Sequence, residues 1–202
     1  MYRGSKPRIV PFLIAIVVIG LLVAGLVSLG RIIFFPNSSN NQQTKTAGQP
    51  VLADEVLKTT ADRSVRYTVR GSLVADENFR SYQLTISPTS RTIVEYKGYL
   101  SEVTSSRTFA NNFTAYDEFV HALDKAEISK TRDISNDDMR GVCATNGRLY
   151  QFETLADGNP TRSIWTSTCS GSPGTMSAKI NQIHMLFVNQ IPDFKPMFDK
   201  VY

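Results

Sequence analysis

Hydrophobic and polar positions divide the chain into an apolar amino-terminal run, a short polar stretch and a longer mixed region. The apolar run, residues 9–30, contains 22 consecutive residues without a charge. At about 1.5 Å per residue, a helix of this length spans roughly 33 Å, which is enough to cross a hydrocarbon core of about 30 Å. We therefore predict a transmembrane helix within residues 9–35, with the lipid bilayer as the partner of that segment.

The charges that flank this segment predict its orientation. Arg3, Lys6 and Arg8 precede the apolar run, whereas only Arg31 follows it before Lys45. Basic residues near a membrane segment are enriched on the cytoplasmic side. We therefore expect residues 1–8 in the cytoplasm and the rest of the chain outside, as in a single-pass protein of the cell membrane. A cleaved secretory signal is the alternative, but its apolar region is usually only about 7 to 15 residues long, so we favour an uncleaved signal anchor.

The polar stretch that follows, residues 36–50, has Ala47 as its only aliphatic residue. Such a segment buries too little apolar surface to offset the entropy lost on ordering, so we predict a flexible linker. Residues 51–202 are long enough to build one hydrophobic core, and we treat them as a single extracytoplasmic domain.

The first part of this domain has the two-residue periodicity of strands. Apolar residues occupy every second position in residues 65–69 and again in 82–86. The sequence Ser-Pro-Thr-Ser at residues 87–90 favours a turn, and residues 92–99 form the predicted return strand. These segments predict an antiparallel meander of three strands.

Apolar residues with helical spacing follow the three predicted strands along the chain. Asn112 or Thr114 is the predicted N-cap of a helix whose apolar positions fall on one face. A second hairpin is predicted around Asp157-Gly158, and apolar residues from 180 to 191 predict a last helix that ends before Pro192. The order β-β-β-α-β-β-α predicts an α+β domain, with an antiparallel sheet and helices on one of its faces.

The charge distribution argues against a nucleic-acid partner. Four of the 22 basic residues lie in the first 35 positions, which contain no acidic residue, so 18 basic residues face all 18 acidic residues in the remainder. The predicted domain therefore has no net positive charge with which to neutralise phosphates.

The two cysteines, Cys143 and Cys169, both lie in the part of the chain predicted to be outside the cytoplasm. They flank the predicted second hairpin, whose turn would bring them together at its open end. Since disulfides form in oxidising compartments, we predict a bond between them. A catalytic or metal-binding thiol is the alternative.

The sequence contains few candidate catalytic groups. His121 and His184 are 63 positions apart, and no metal-binding spacing of histidine or cysteine exists, so neither a metal nor a cofactor is predicted. An amino-terminal anchor, a linker, a β-rich domain and the segment Thr-Ser-Thr-Cys ending at Cys169 loosely resemble a sortase. That resemblance implies a transpeptidase with Cys169 as nucleophile and His121 as its histidine, although the arginine expected after the cysteine is missing.

The remaining candidates for a functional role are aromatic. We predict a possible partner-binding surface formed by Tyr96, Tyr99, Trp165, Phe194 and Phe198, with burial in the core as the alternative. The function favoured by the sequence is a membrane-anchored envelope protein whose external domain binds an unknown envelope protein, peptide or glycan, rather than an enzyme. The alternatives are an envelope hydrolase or transpeptidase, and a structural subunit of a surface assembly.

Overall fold

The computed structural model describes residues 52–99 and 102–194, all of which belong to one compact unit of the chain. The predicted cytoplasmic segment 1–8, the predicted transmembrane segment 9–35, the predicted linker 36–50 and Phe198 lie outside the described residues. Within the described ranges, no helix has both the length and the apolar character needed to cross a membrane.

The described residues form a six-stranded antiparallel sheet and three α-helices, which confirms the predicted α+β class. The strand order in the sheet is β4-β3-β2-β1-β5-β6. The strands are β1 (Arg63–Arg70), β2 (Arg80–Ile86), β3 (Ser90–Lys97), β4 (Glu102–Ala110), β5 (Leu149–Ala156) and β6 (Asn159–Ser167), and the helices are α1 (Leu52–Val56), α2 (Phe113–Lys125) and α3 (Ile180–Val188).

The core lies between the helices and one face of the sheet. In β1, the buried residues Val65, Tyr67 and Val69 alternate with partly exposed polar residues, as the sequence pattern predicts. The ring of Tyr67 stacks on that of Phe187 in α3, with 4.8 Å between the ring centroids. Buried residues of α2, such as Phe119, join the same cluster. The helices therefore cover the face to which Tyr67 points and leave the opposite face without them.

Strand β4 corrects the predicted order, which contained only three strands before the long helix. The short helix α1 was not predicted either. The residues of β4 that point to the core side are Ser105, Arg107 and Phe109, all only partly buried. Because β4 lies at the edge of the sheet, most of its other side chains are exposed and it needs no alternation of apolar and polar residues. Its sequence is consequently rich in serine and threonine.

The local signals around the other elements agree with the structure. The side chain of Asn112 accepts a hydrogen bond from the backbone N–H of Ala115 at 2.9 Å, so Asn112 is the N-cap of α2. Asp157 and Gly158 form the β5–β6 turn with φ angles of 49° and 77°. Both residues adopt the left-handed conformation that favours these residue types in tight hairpins.

Candidate binding site on the helix-free face

The face of the sheet without helices carries polar residues at one end and apolar residues at the other. We call it the helix-free face and define it by Arg66, Thr68 and Arg70 of β1 and by the residues that stand opposite them on neighbouring strands. At the polar end, Nε of Arg66 donates a hydrogen bond to Oε2 of Glu153 at 2.7 Å. Glu153 is only 7% exposed, so this ion pair neutralises a carboxylate that is nearly buried.

The opposite end contains a cavity of about 180 Å³, which we call the Arg70 cavity. Its location follows from the register, because Arg70 at the end of β1 stands opposite Leu149 at the start of β5. Most of its lining side chains are apolar. The lining residues are Arg70, Gly71, Leu73, Phe79, Tyr99, Met139, Arg140, Gly141, Val142 and Leu149.

One wall of the Arg70 cavity is aromatic and is held in place by hydrogen bonds. The rings of Phe79 and Tyr99 stack with 4.0 Å between their centroids. The Tyr99 hydroxyl donates to the carbonyl of Val74 at 3.0 Å and accepts from the N–H of the same residue at 3.1 Å. The carboxylate of Asp76 accepts a hydrogen bond from the Tyr99 N–H at 2.7 Å. These bonds fix the connection between β1 and β2 against the end of β3.

The facing wall is held by a disulfide between Cys143 and Cys169, which confirms the predicted pairing. The backbone carbonyl of Cys143 accepts a hydrogen bond from the Leu73 N–H at 2.9 Å, so the bonded loop is tied directly to the β1–β2 connection. Gly147 lies against the disulfide, where a Cβ atom would come within 2.3 Å of the Cys169 sulfur. Since the bond uses both sulfurs, Cys169 is not the free nucleophile that the sortase resemblance implies.

The two arginines that line the Arg70 cavity have different electrostatic environments. The guanidinium of Arg140 donates two hydrogen bonds to the carboxylate of Asp138 through Nε and a third through Nη2, at 2.6–2.9 Å. Hydrogen bonding to Arg140 lowers the pKa of Asp138 to about 2. The half-buried side chain of Arg70 forms no hydrogen bond or ion pair within residues 52–99 and 102–194. No carboxylate of the described residues therefore pairs with Arg70, and its positive charge is available at the cavity.

A second depression, of about 450 Å³, lies beside the first and shares with it residues 140–142. We call it the polar depression because hydroxyl and amide side chains, such as Ser135, Asn136 and Ser172, line it. Trp165 also contributes to its lining, and the indole N–H of Trp165 donates to Oδ1 of Asp137 at 2.6 Å. That bond fixes the loop that separates the two depressions to strand β6.

The predicted aromatic residues do not form one exposed patch in the described part of the chain. Tyr99 is 41% exposed and lines the Arg70 cavity. Tyr96 is partly buried on the helix-free face of the sheet. Trp165 is only 4% exposed, beneath the loop that bears Asp137. Phe194 lies on the helix-covered face, where its ring contacts that of Tyr82. Sequence reasoning missed Arg70 and the apolar lining around it, since no local pattern shows which arginine of a strand will line a cavity.

The histidines are not part of this site. His184 belongs to α3, and its Nδ1 atom lies 3.4 Å from the hydroxyl of Tyr67, a residue that points away from the helix-free face. Burial lowers the pKa of His184, and the charge of Arg148 lowers it further. His121 is exposed on α2. No cluster of three histidine, cysteine, aspartate or glutamate side chains that could hold a metal occurs in residues 52–99 and 102–194.

The described residues therefore combine an apolar cavity, the guanidinium of Arg70 and an adjoining polar surface. A scan against protein-family models finds no match to the chain, and a search of curated proteins finds no significant relative.

Proposed function

We propose that the chain is a single-pass, membrane-anchored protein of the cell envelope whose extracytoplasmic domain binds a ligand through the Arg70 cavity. The uncharged run at residues 9–30 and the basic residues before it support the anchor and its orientation. The disulfide between Cys143 and Cys169 supports an oxidising compartment for the domain.

The observation that carries the proposal is the combination of an apolar cavity with an arginine that has no partner among the described residues. Apolar clefts that contain a few well-placed polar groups are typical of binding sites. The described residues that line the cavity include no serine, threonine, cysteine, histidine, aspartate or glutamate. They therefore supply neither a common nucleophile nor a common general base, which favours binding over catalysis.

Protease accessibility tests the proposed topology. Protease is added to intact protoplasts that express the full chain with an epitope tag at its carboxyl terminus. We expect loss of the tag without permeabilisation, because the tagged domain lies outside. A tag that survives until the membrane is opened would refute the proposed orientation.

Site-specific photo-crosslinking in the same cells tests the binding site. A diazirine amino acid replaces Met139, which lines the cavity, or Glu118, which is exposed on α2. We expect a light-dependent adduct from position 139 that is absent from position 118, since only position 139 contacts the proposed ligand. The absence of an adduct at position 139, or the same adducts from both positions, would contradict the proposed site.

A further inference from the structure

The geometry points to a peptide with a free carboxyl terminus as the ligand, with its terminal carboxylate on Arg70 and its last side chain, of about the size of an aromatic ring, in the Arg70 cavity. This inference rests on the proposed function, because it assigns a ligand class to the same site. It is carried by the volume of the cavity, by its charge and by the polar depression beside it.

The volume of the cavity fits one large apolar side chain. A protein cavity of about 150 Å³ lined by apolar residues accommodates benzene, and the Arg70 cavity measures about 180 Å³. Leu73, Val142 and Leu149 supply aliphatic surface, while the stacked rings of Phe79 and Tyr99 supply a flat wall. Aromatic rings pack favourably on such a wall in stacked or edge-on arrangements.

The charge of the cavity selects an anionic group. Arg70 presents a planar guanidinium that matches the two oxygens of a carboxylate. Arg140 is less available, because Asp138 already accepts its hydrogen bonds. Arg80, at the start of β2, donates to the backbone carbonyls of Glu77 and Phe79 and pairs with no carboxylate in the described part of the chain. A carboxylate is therefore favoured over an amide or an amine at this end of the sheet.

The polar depression favours a peptide over a small aromatic acid. It adjoins the cavity across residues 140–142, so a chain whose last residue occupies the cavity can continue into it. Ser135, Asn136 and Ser172 offer side-chain donors and acceptors to the amides of the preceding residues. A small acid would use the cavity alone.

Fluorescence anisotropy with the full chain in detergent micelles tests the ligand class. The probe is a fluorescein-labelled Gly-Ser-Ser-Phe peptide with a free carboxyl terminus. Three reference ligands each change one property: the same peptide with a C-terminal amide, a Gly-Ser-Ser-Ala peptide, and unlabelled N-acetylphenylalanine as a competitor. We expect the free acid to bind at least tenfold more tightly than each of them.

Two variants test whether Arg70 causes the preference for the free acid over the amide. Arg70→Gln should reduce the preference for acid over amide from at least tenfold to about one, while the preference for phenylalanine over alanine remains. Arg66→Gln is the matched control, because Arg66 is also on the helix-free face of β1 but pairs with Glu153 outside the cavity. It should keep the full preference for the acid.

The affinities for acid and amide can be compared on the unaltered chain even if Arg70→Gln does not fold. Equal affinities for acid and amide, or an acid preference that persists in a folded Arg70→Gln variant, would overturn the role of Arg70. Binding of N-acetylphenylalanine as tight as that of the peptide would overturn the peptide in favour of a small acid. If no peptide binds while position 139 still yields its crosslink in cells, the peptide inference fails and the proposed binding function stands.

Discussion

Loss of the disulfide between Cys143 and Cys169 should lower the free energy of unfolding by about 3.5 kcal/mol. The bond joins residues that are 26 positions apart. In the chain-entropy relation, closing a loop of that length removes about 12 cal/mol/K from the unfolded chain, which corresponds to about 3.5 kcal/mol at 25 °C. We therefore expect the double variant Cys143→Ser/Cys169→Ser to be folded but clearly less stable.

The single tryptophan of the chain provides the assay. Trp165 is buried in β6, within the segment that the disulfide closes, so its fluorescence reports unfolding of this domain. In urea, domains of this size lose about 1–3 kcal/mol of stability per molar denaturant, so a loss of about 3.5 kcal/mol should move the midpoint to lower urea by about 1.2 to 3.5 M. The unaltered chain measured with reductant is the matched control and should unfold at the same midpoint as the double variant.

A loss of stability below about 1 kcal/mol would refute this reasoning. It would mean either that the unfolded chain is already compact around these residues or that the bond is not formed in the mature protein. Reductant leaves the midpoint almost unchanged in either case, so a count of free thiols is needed to separate the two explanations. Mass analysis without reductant gives an independent count of free thiols.

Three further perturbations test the packing of the domain. Glu55 is 5% exposed, and hydrogen bonding from Lys58 lowers its pKa below the ordinary value of 4.5. The ionised carboxylate of Glu55 should therefore stabilise the domain above pH 4.5, and this contribution should be lost as the pH falls below that value. Glu55→Gln should accordingly cost about 1–3 kcal/mol at pH 7 and little at pH 3, as measured by urea unfolding. Gly174→Ala should destabilise the domain far more than Gly171→Ala. Both positions have positive φ, but of the two only Gly174 would bring a Cβ atom within 2.2 Å of a backbone oxygen. The unfolding temperatures of the two variants measure this difference. Burial keeps the pKa of His184 below 6.5, so an NMR titration should find the imidazole titrating below that value. The free energy of unfolding should decrease as the pH falls below 6.5, because the unfolded chain then binds more protons than the folded chain.

Each of these expectations has an outcome that contradicts it. A cost of Glu55→Gln that is the same at pH 3 and pH 7 would show that the charge of Glu55 contributes nothing. Equal unfolding temperatures for Gly174→Ala and Gly171→Ala would show that the loop yields to the extra carbon. If His184→Gln leaves the slope of stability between pH 6.5 and pH 5 unchanged, another group is responsible for that slope.

The parts of the fold that were predicted correctly are those with strong local signals. The alternation in β1, the cap at Asn112 and the turn at Asp157-Gly158 depend on neighbouring residues, and all three occur as expected. Strand β4 has no such signal. It lies at the edge of the sheet, so its hydroxyl-bearing side chains meet solvent and only its backbone pairing with β3 identifies it as a strand.

The candidate site could not be read from the sequence because distant segments build it. The Arg70 cavity combines the β1–β2 connection, Tyr99 after β3, the start of β5 and residues 139–142 of the loop before β5. Tyr99 and the cysteines were singled out individually, but their neighbourhood is determined by tertiary packing. A cavity depends on which side chains fail to fill a space, and that is a property of the whole fold.

Arg66 and Arg70 show how the sheet register separates two residues that look equivalent in the sequence. They lie four positions apart in β1, so both point to the helix-free face. The pairing of β1 with β5 places Glu153 opposite Arg66 and Leu149 opposite Arg70. The ion pair with Glu153 therefore neutralises Arg66 within the fold, whereas Arg70 lines an apolar cavity. Its guanidinium lies beside apolar surface and pairs with no carboxylate of the described residues, so an external carboxylate would supply the partner that Arg66 has in Glu153.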